Sequence, residues 1–144
     1  MSVIEPWVAQ ALRDARVARL GTVGADATVR LVPICFAIVD DHVVSAVDHK
    51  PKRTGQLRRL DDMVASGTAT VLVDHYDDDW TRLWWVRISG RATVHAPGEA
   101  AADPALDALA AKYDQYRDIP PTGSVYRIAF DEIRSWRHTP GRES

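Results

Sequence analysis

The sequence RLWWVRISGRATVHA, residues Arg82 to Ala96, alternates between polar and apolar side chains over most of its length. Because successive side chains of a β strand point to opposite faces, this pattern predicts one long strand. One face is expected in a core, and the other in solvent or lining a site. The adjacent Trp84 and Trp85 are expected on opposite faces. The residues expected on the apolar face are Val86, Ile88, Ala92 and Val94, and those expected on the polar face are Arg87, Ser89, Arg91, Thr93 and His95.

The rest of the chain predicts a small protein that is mainly β with helical additions. Further strands are expected over Val17–Val23, Thr28–Val39, His42–Val47, Thr68–Asp74 and Ser124–Trp136. Helices are expected over Ile4–Asp14, from Pro51 with an apolar stripe of Leu57, Leu60 and Val64, and after Pro104. Strands and helices do not alternate as they do in parallel α/β proteins, so we expect one domain over residues 1–144, built as an antiparallel β-barrel.

Composition narrows the classes of protein that remain. A chain of 144 residues with a formal net charge of -2 can bury an ordinary core, and this charge argues against a general nucleic-acid binder. The single cysteine, Cys35, lies among apolar residues, which predicts a core position and a reducing compartment. No apolar run approaches the roughly 20 residues that span a bilayer, and the first residues do not follow the order of a signal peptide. The expected location is the cytoplasm.

The stretch TVRLVPICFAIV, residues Thr28 to Val39, is apolar at both alternating sets of positions. A strand with one wet face does not need this pattern, so both of its faces are expected to be covered. A barrel of this size with few helices has too little material to cover them alone. The sequence therefore predicts a homodimer.

Several common catalytic signatures are absent from the sequence. The five histidines do not have the spacing of metal ligands, so no metal site is expected. The chain also has no G-x-S-x-G turn, no P-loop and no G-x-G-x-x-G motif. We identify no obligatory acid or base, so the catalytic residues stay unknown at this point.

The basic stretch DHKPKRTGQLRRLDD, residues Asp48 to Asp62, is unusual in a slightly acidic chain. Lys52 and Arg53 would fall in the first turn of a helix, where the helix dipole disfavours cations by about 0.3–1 kcal/mol each. Arg58 and Arg59 can pair with the aspartates that follow them, but the earlier cations have few such neighbours. A phosphate would explain this surplus of positive charge beside free N–H groups. The alternative is a solvated charged face.

The order of these segments resembles the split β-barrel family of the pyridoxamine 5′-phosphate oxidase class, most closely its actinobacterial branch of probable F-420-dependent oxidoreductases. The similarity covers Arg16 to about His95, and the last strand also fits. Its most specific pieces are LVDHYDDDWTRLWWVRISGRA and KPKRTGQLRR. The resemblance implies a split β-barrel like that of FMN-binding proteins. It also implies a homodimer with cofactor grooves between the two barrels, and a ligand that is either FMN or the 8-hydroxy-5-deazaflavin coenzyme F-420.

The resemblance also implies which residues bind the cofactor. It assigns the phosphate to Lys52, Arg53 and Gln56, with Lys50 close by. Arg30, Val32 and Pro33 match the strand that passes along the cofactor ring in the family. Val47 and Asp48 match the end of the strand beside the ring, and Arg87 matches the inward face of the long strand. The chain departs from the pyridoxamine oxidases proper, because it has RLVPIC in place of R-x-V-L-L-K and lacks a C-terminal R-L-A-P. Pyridoxamine phosphate is therefore not the expected substrate.

The function that the resemblance implies is hydride transfer between F-420 and a small unsaturated or quinone-like molecule. The cofactor supplies this chemistry, while the protein supplies position, charge and exclusion of water. An FMN-dependent oxidoreductase is the first alternative. The second is a carrier or sensor that binds F-420 or a flavin without turnover, because enzyme and carrier share every residue named above.

Overall fold

The structure, a computed structural model, describes residues 4–47 and 54–140, and of residues 54–57 it describes the backbone alone. Within these residues the chain forms eight strands and four α helices. The strands are β1 (Ala18–Val23), β2 (Val29–Ile34), β3 (Ala37–Val39), β4 (His42–Ala46), β5 (Thr68–His75), β6 (Trp84–His95), β7 (Val125–Ala129) and β8 (Glu132–Arg137). The helices are α1 (Pro6–Asp14), α2 (Thr54–Ser66), α3 (Asp103–Lys112) and α4 (Asp114–Asp118). In this part of the chain, no helix combines the length and the apolarity needed to cross a bilayer.

The long strand β6 connects the two halves of the barrel. All pairs are antiparallel, in the order β2-β1-β5-β6-β7-β4-β3, and β8 lies beside the first half of β6. Residues 84–91 of β6 pair with β5, residues 84–89 also pair with β8, and residues 92–95 pair with β7. The fold is therefore mainly antiparallel β with a few helices, as predicted.

The alternation predicted for β6 is confirmed. Val86 and Ile88 are fully buried, whereas Arg87 and Arg91 are exposed on the other face. Trp84 packs against the core, and its neighbour Trp85 points the opposite way. The main core lies between the sheets and also receives side chains from α1. A second cluster lies between α3 and the β3–β4 hairpin.

The final strand was predicted as one element, but it is two, because the chain crosses β6 very closely at Gly90. A Cβ atom added to Gly90 would lie 1.9 Å from the carbonyl oxygen of Ala129. Just beyond, the carboxylate of Asp131 accepts hydrogen bonds from the backbone N–H and the guanidinium of Arg91, at 2.9 Å each. These bonds lower the pKa of Asp131 to about 2. The crossing ends β7 at Ala129 and redirects the chain into β8.

The strand predicted over Thr28–Val39 is also divided, since β2 and β3 belong to different halves of the barrel. Phe36 is fully buried at the division, and its N–H donates to the hydroxyl of Tyr113 at 3.1 Å. The hydroxyl of Ser45 donates to the carbonyl of Cys35 at 2.7 Å. Cys35 itself is half-buried at the edge of a cavity, which corrects the prediction of a core position.

The buried face of α2 differs from the predicted stripe. Val64 is 72% exposed, whereas Met63 and Asp62 are buried. The Asp62 carboxylate accepts hydrogen bonds from Thr22 Oγ1 at 2.8 Å and from Arg30 Nε at 2.9 Å. A buried carboxylate needs such partners, because desolvation of an unpaired charge is costly. The prediction that Asp62 pairs with an arginine of its own helix is therefore wrong.

Candidate functional site

A cavity of about 250 Å³ opens where the two halves of the barrel separate, and we name it the split cavity. Its walls come from the end of β2 (Pro33, Ile34 and Cys35) and from Ser45 and Ala46 of β4. Arg59 of α2 and Tyr116 of α4 complete it. The split cavity exists because the chain leaves one sheet at Cys35 and enters the other at Ala37, so that β2 and β4 are not hydrogen-bonded neighbours.

Arg59 brings a cation to this cavity. Its Nε atom is buried and has no hydrogen-bond partner among the described residues. Asp62, one turn further along α2, is already paired with Arg30. Asp62 is therefore not its ion-pair partner, and Arg59 contributes positive charge to the wall of the split cavity.

Tyr126 lies behind Ser45, its partner across the β4–β7 ladder. The side chain is 1% exposed, and in the described part of the chain its hydroxyl has no hydrogen-bond partner of good geometry, although Ser45 and Arg59 are close. Burial raises the pKa of Tyr126, while the Arg59 charge opposes this effect in part. The hydroxyl is therefore a neutral donor. Buried polar groups normally have partners, and Ser45 and Arg59 are the two groups close enough to be partners of this hydroxyl.

The structure describes some of the predicted binding residues and not others. Pro33 lines the split cavity; Val32 is half-buried against the core, and Val47 is buried at the end of β4. Arg30 is engaged by Asp62 on the inner side of β2. Asp48, Lys50, Lys52 and Arg53 lie outside the described residues, and so does the side chain of Gln56, although its backbone belongs to α2. Cofactor binding by these residues stays a prediction.

Arg87 does not lie on the inward face of β6, which corrects the prediction. It is exposed on the outer face, with its guanidinium 5.3 Å from the centre of the Trp85 ring. It lines a surface depression of about 410 Å³ together with Leu72 and Trp136. The strand alternation explains this position, because Val86 and Ile88 occupy the core side.

A larger, aromatic groove adjoins the split cavity, and we name it the tryptophan groove. It measures about 620 Å³, lies between α1 and the adjoining ends of β5 and β6, and shares Val17 with the split cavity. The rings of Trp7 and Trp84 meet edge to face at 6.4 Å, and His75 stacks on Trp84 at 6.3 Å. Arg137 lies 5.0 Å above the Trp7 ring. Such a surface suits a planar, electron-poor or anionic molecule.

Sequence reasoning missed Arg59, Ser45 and Tyr126 as site residues. Arg59 was visible inside the basic stretch, but local spacing favoured a pair within its helix. Ser45 and Tyr126 are polar residues inside apolar strands, and this is the only local signal that they carry. Arg59 and Ser45 line the split cavity, and because the Ser45 hydroxyl already donates to the Cys35 carbonyl, Arg59 is the cationic donor that this wall presents to an oxygen acceptor. A flavin-type ring presents such acceptors, so the residues present fit that group.

Comparisons with known proteins agree with this architecture. The family model described as pyridoxamine 5′-phosphate oxidase matches residues 4–137. A conserved hypothetical protein from Mycobacterium tuberculosis is similar in structure with a TM-score of 0.75 and 18% identity, over 100% of this chain and 93% of that chain. A FAD-binding protein from Mesorhizobium loti has a TM-score of 0.65 and 19% identity, over 92% of each chain.

The heme storage protein HutZ from Vibrio cholerae is also similar, with a TM-score of 0.70 and 9% identity, over 94% of this chain and 95% of that chain. Identities this low show the shared fold alone. Among curated proteins, no sequence matches significantly.

Proposed function

The chain belongs to the pyridoxamine 5′-phosphate oxidase family, and from this membership we propose that it is a cytoplasmic oxidoreductase that uses coenzyme F-420. It would transfer a hydride between the coenzyme and a small unsaturated or quinone-like molecule. The observation that carries the proposal is the split cavity, whose wall presents the cation of Arg59 at the place where the two halves of the barrel separate. Ala46 at the end of β4 and Arg59 of α2 line this cavity, and these two elements precede and follow the basic segment of residues 48–53 along the chain.

In this proposal, different residues bind different parts of the cofactor. Lys52, Arg53 and Gln56 hold the phosphate, and Lys50 meets the acidic tail of F-420. Val32, Pro33, Val47 and Asp48 border the ring. Arg30, which is bound to Asp62, and Arg87, which lies on the outer face of β6, are the remaining residues that the resemblance assigns to the cofactor. When bound, the cofactor supplies hydride transfer. The chain orients it, excludes water, and offers the tryptophan groove to a planar acceptor beside the split cavity.

A flavin cofactor is the second candidate, and the similarity to a FAD-binding protein favours it. A non-catalytic carrier is the third, and the similarity to a heme storage protein supports binding without turnover in this fold. The site residues and the cavity described above are compatible with all three candidate functions. The preference for F-420 comes from the basic segment, because a coenzyme with phosphate and an acidic tail uses more cations than FMN does.

We expect F-420 to bind more tightly than FMN. Titrating each ligand and following its fluorescence compares the dissociation constants directly. Reduced F-420 with a panel of quinones and activated alkenes then separates an enzyme from a carrier, because only an enzyme oxidises the coenzyme over many turnovers. Tighter binding of FMN would reject the F-420 assignment.

We also propose that the protein is a homodimer joined through the outer face of β2 and its neighbours. Leu31 is 75% exposed and Val29 63% exposed on this face, and Val23 and Trp136 add further exposed apolar surface. Val23, Val29 and Leu31 are neighbours on the paired strands β1 and β2, and neighbouring exposed apolar residues are typical of interfaces, whereas single ones are not. A second copy of the chain supplies the cover that the apolar pattern of residues 28–39 requires.

Replacing Leu31 by aspartate should therefore convert a dimer into a monomer, because the new charge would be buried without a partner in the interface. Light scattering over a range of protein concentrations measures the mass. Val64→Asp is the matched control, since Val64 is 72% exposed on α2 and not on this face. A wild-type mass that stays monomeric at high concentration contradicts the proposal.

A further inference from the structure

We propose that the tryptophan groove binds the hydride acceptor, and that it prefers a planar aromatic molecule with an anionic oxygen. This inference rests on the proposed function for the role of that molecule, and it narrows the small unsaturated or quinone-like acceptor to its acidic members. All the residues that line the groove belong to the described part of the chain and lie outside the basic segment of residues 48–53.

The groove is formed by one face of α1. The helix buries Val8 and Leu12 in the core, whereas another face is turned towards the ends of β5 and β6. The residues on this face have the helical spacing i, i+3, i+4, i+7 and i+8, and they are Trp7, Gln10, Ala11, Asp14 and Ala15. Because two of them are alanines, the helix leaves room beside the strands. The groove of about 620 Å³ lies within the roughly 300–1,000 Å³ of small-molecule sites.

Aromatic rings form one end of the groove. Trp7 and Trp84 pack against the core, and the His75 ring is stacked on Trp84 with an angle of 19° between the two planes. The side chain of His75 is 46% exposed, so a further planar ring can extend this stack. The faces of indole rings carry partial negative charge, which favours an electron-poor ring over an electron-rich one.

Arg137 brings a positive charge to the same end. It is the partner of Trp84 across the β6–β8 ladder, and its guanidinium lies 5.0 Å from the centre of the Trp7 ring. A guanidinium that is stacked on a ring keeps its N–H groups in its own plane, where they can donate to a carboxylate or an enolate. Arg137 is exposed and forms no ion pair with any residue that the structure describes. The Glu5 carboxylate, which is beside the same ring, accepts from the indole N–H of Trp7 at 2.7 Å.

The carboxylates that line the groove do not cancel this charge. Asp74 forms an ion pair with Arg19 at 3.3 Å. Asp14 accepts two hydrogen bonds of 2.9 Å from an amide of its own helix, and at about 1.5 Å per residue it lies about 10 Å further along α1 than Trp7. Arg16 follows it and adds a second cation that has no ion pair within the described ranges. The aromatic end of the groove therefore suits an anion and disfavours a cation.

The experiment measures the binding of three naphthalene probes of similar size by isothermal titration calorimetry at neutral pH, without coenzyme. The probes are naphthoate, its neutral amide and the naphthylmethylammonium cation. We expect the wild type to bind naphthoate about 10-fold more tightly than the amide, and the cation more weakly than either. Arg137→Gln should weaken naphthoate binding about 10-fold and change binding of the amide by less than about 2-fold.

Arg134→Gln is the matched control. Arg134 lies three residues earlier on β8, so its side chain is on the opposite face of the sheet, where it pairs with Glu132. The substitution changes the net charge by the same amount and should leave all three affinities as in the wild type. An equal loss of naphthoate affinity in both variants would show an effect of net charge alone and would overturn the inference.

Ala11→Leu tests the shape of the groove. Leucine is nearly as good a helix former as alanine, so α1 should persist, while the larger side chain fills part of the groove. We expect all three probes to bind at least about 10-fold more weakly, and the unfolding temperature shows that the variant is folded. If light scattering shows that this variant instead loses a dimer that the wild type forms, a second copy covers the groove and the inference is wrong.

The role of the groove as the acceptor site is tested with reduced F-420. The acceptors are a naphthoquinone with an acidic hydroxyl group and the same naphthoquinone without it. Because Arg137 binds the acceptor and does not react, Arg137→Gln should raise the KM of the acidic quinone about 10-fold and leave its kcat and the KM of the neutral quinone almost unchanged. An unchanged KM for the acidic quinone would contradict the inference.

Three results overturn the inference and leave the proposed function standing. They are failure of every probe to bind to a protein that binds F-420, tighter binding of the cation than of naphthoate, and wild-type affinity of Arg137→Gln for naphthoate. Binding of the probes as expected to a protein that binds neither F-420 nor FMN would instead support the groove as a site for aromatic anions and reject the proposed function.

Discussion

Replacing Gly90 by alanine is expected to lower the free energy of unfolding by more than about 3 kcal/mol or to prevent folding. The added Cβ would lie 1.9 Å from the carbonyl oxygen of Ala129 and 2.8 Å from its carbonyl carbon. Both are backbone atoms, so no side-chain rotation relieves the overlap. The two strands would have to separate where β7 turns into β8. Urea unfolding followed by tryptophan fluorescence, at fixed protein concentration, measures the change.

Gly21→Ala provides the control for this prediction. It adds the same methyl group to another strand, where the nearest atom is the Cδ2 of Leu31 at 3.3 Å. That side chain can move, so we expect a change within about 1 kcal/mol in either direction. Equal stabilities for the Gly90 and Gly21 variants would show that the close crossing is not required.

Replacing Lys52 and Arg53 together by glutamine should weaken F-420 binding by about 3–6 kcal/mol, since each hydrogen bond to a charged group contributes about 1.5–3 kcal/mol. Cations at the start of a helix oppose its dipole, so a bound anion is the group that compensates them. Fluorescence titration gives the affinity. Added salt should weaken binding to the wild type more than to the double variant.

The control ligand is the form of F-420 that has the ring and the ribityl chain but no phosphate, because it lacks the group that Lys52 and Arg53 are proposed to hold. Its affinity should be similar for the wild type and the double variant. A second control, Arg13→Gln with Arg58→Gln, changes the net charge equally at exposed positions. If the Lys52 and Arg53 double variant binds F-420 as the wild type does, the phosphate assignment is wrong.

The local pattern was sufficient for β6, because a strand with one buried face shows its period of two directly in the sequence. It was insufficient at Phe36 and between Ala129 and Glu132. There the chain changes sheet because of contacts with Tyr113 and Gly90, which lie far away along the sequence. A window of neighbouring residues holds no information about such contacts. The strands on either side were therefore predicted as continuous.

The candidate site was predictable to a similar degree. Pro33 was assigned to the ring and does line the split cavity. The pairing of Arg59 was predicted from the aspartates on its own helix, but Arg30, from β2, takes Asp62 instead. Arg87 was expected to face inward because the resemblance concerns the long strand as a whole, whereas the parity of its own position assigns it to the outer face. Competition between partners that are distant in sequence determines these outcomes.

The pairing of β4 has a consequence for how the protein is made. His42–Ala46 has β3 on one side from the start, but its other neighbour is Val125–Ala129. During translation β4 therefore emerges from the ribosome long before that neighbour exists. We expect the nascent chain to carry an open strand edge through most of its synthesis, and the barrel to close only near the end. Pairing over such distances along the chain is slow, so chaperones have time to act on this intermediate.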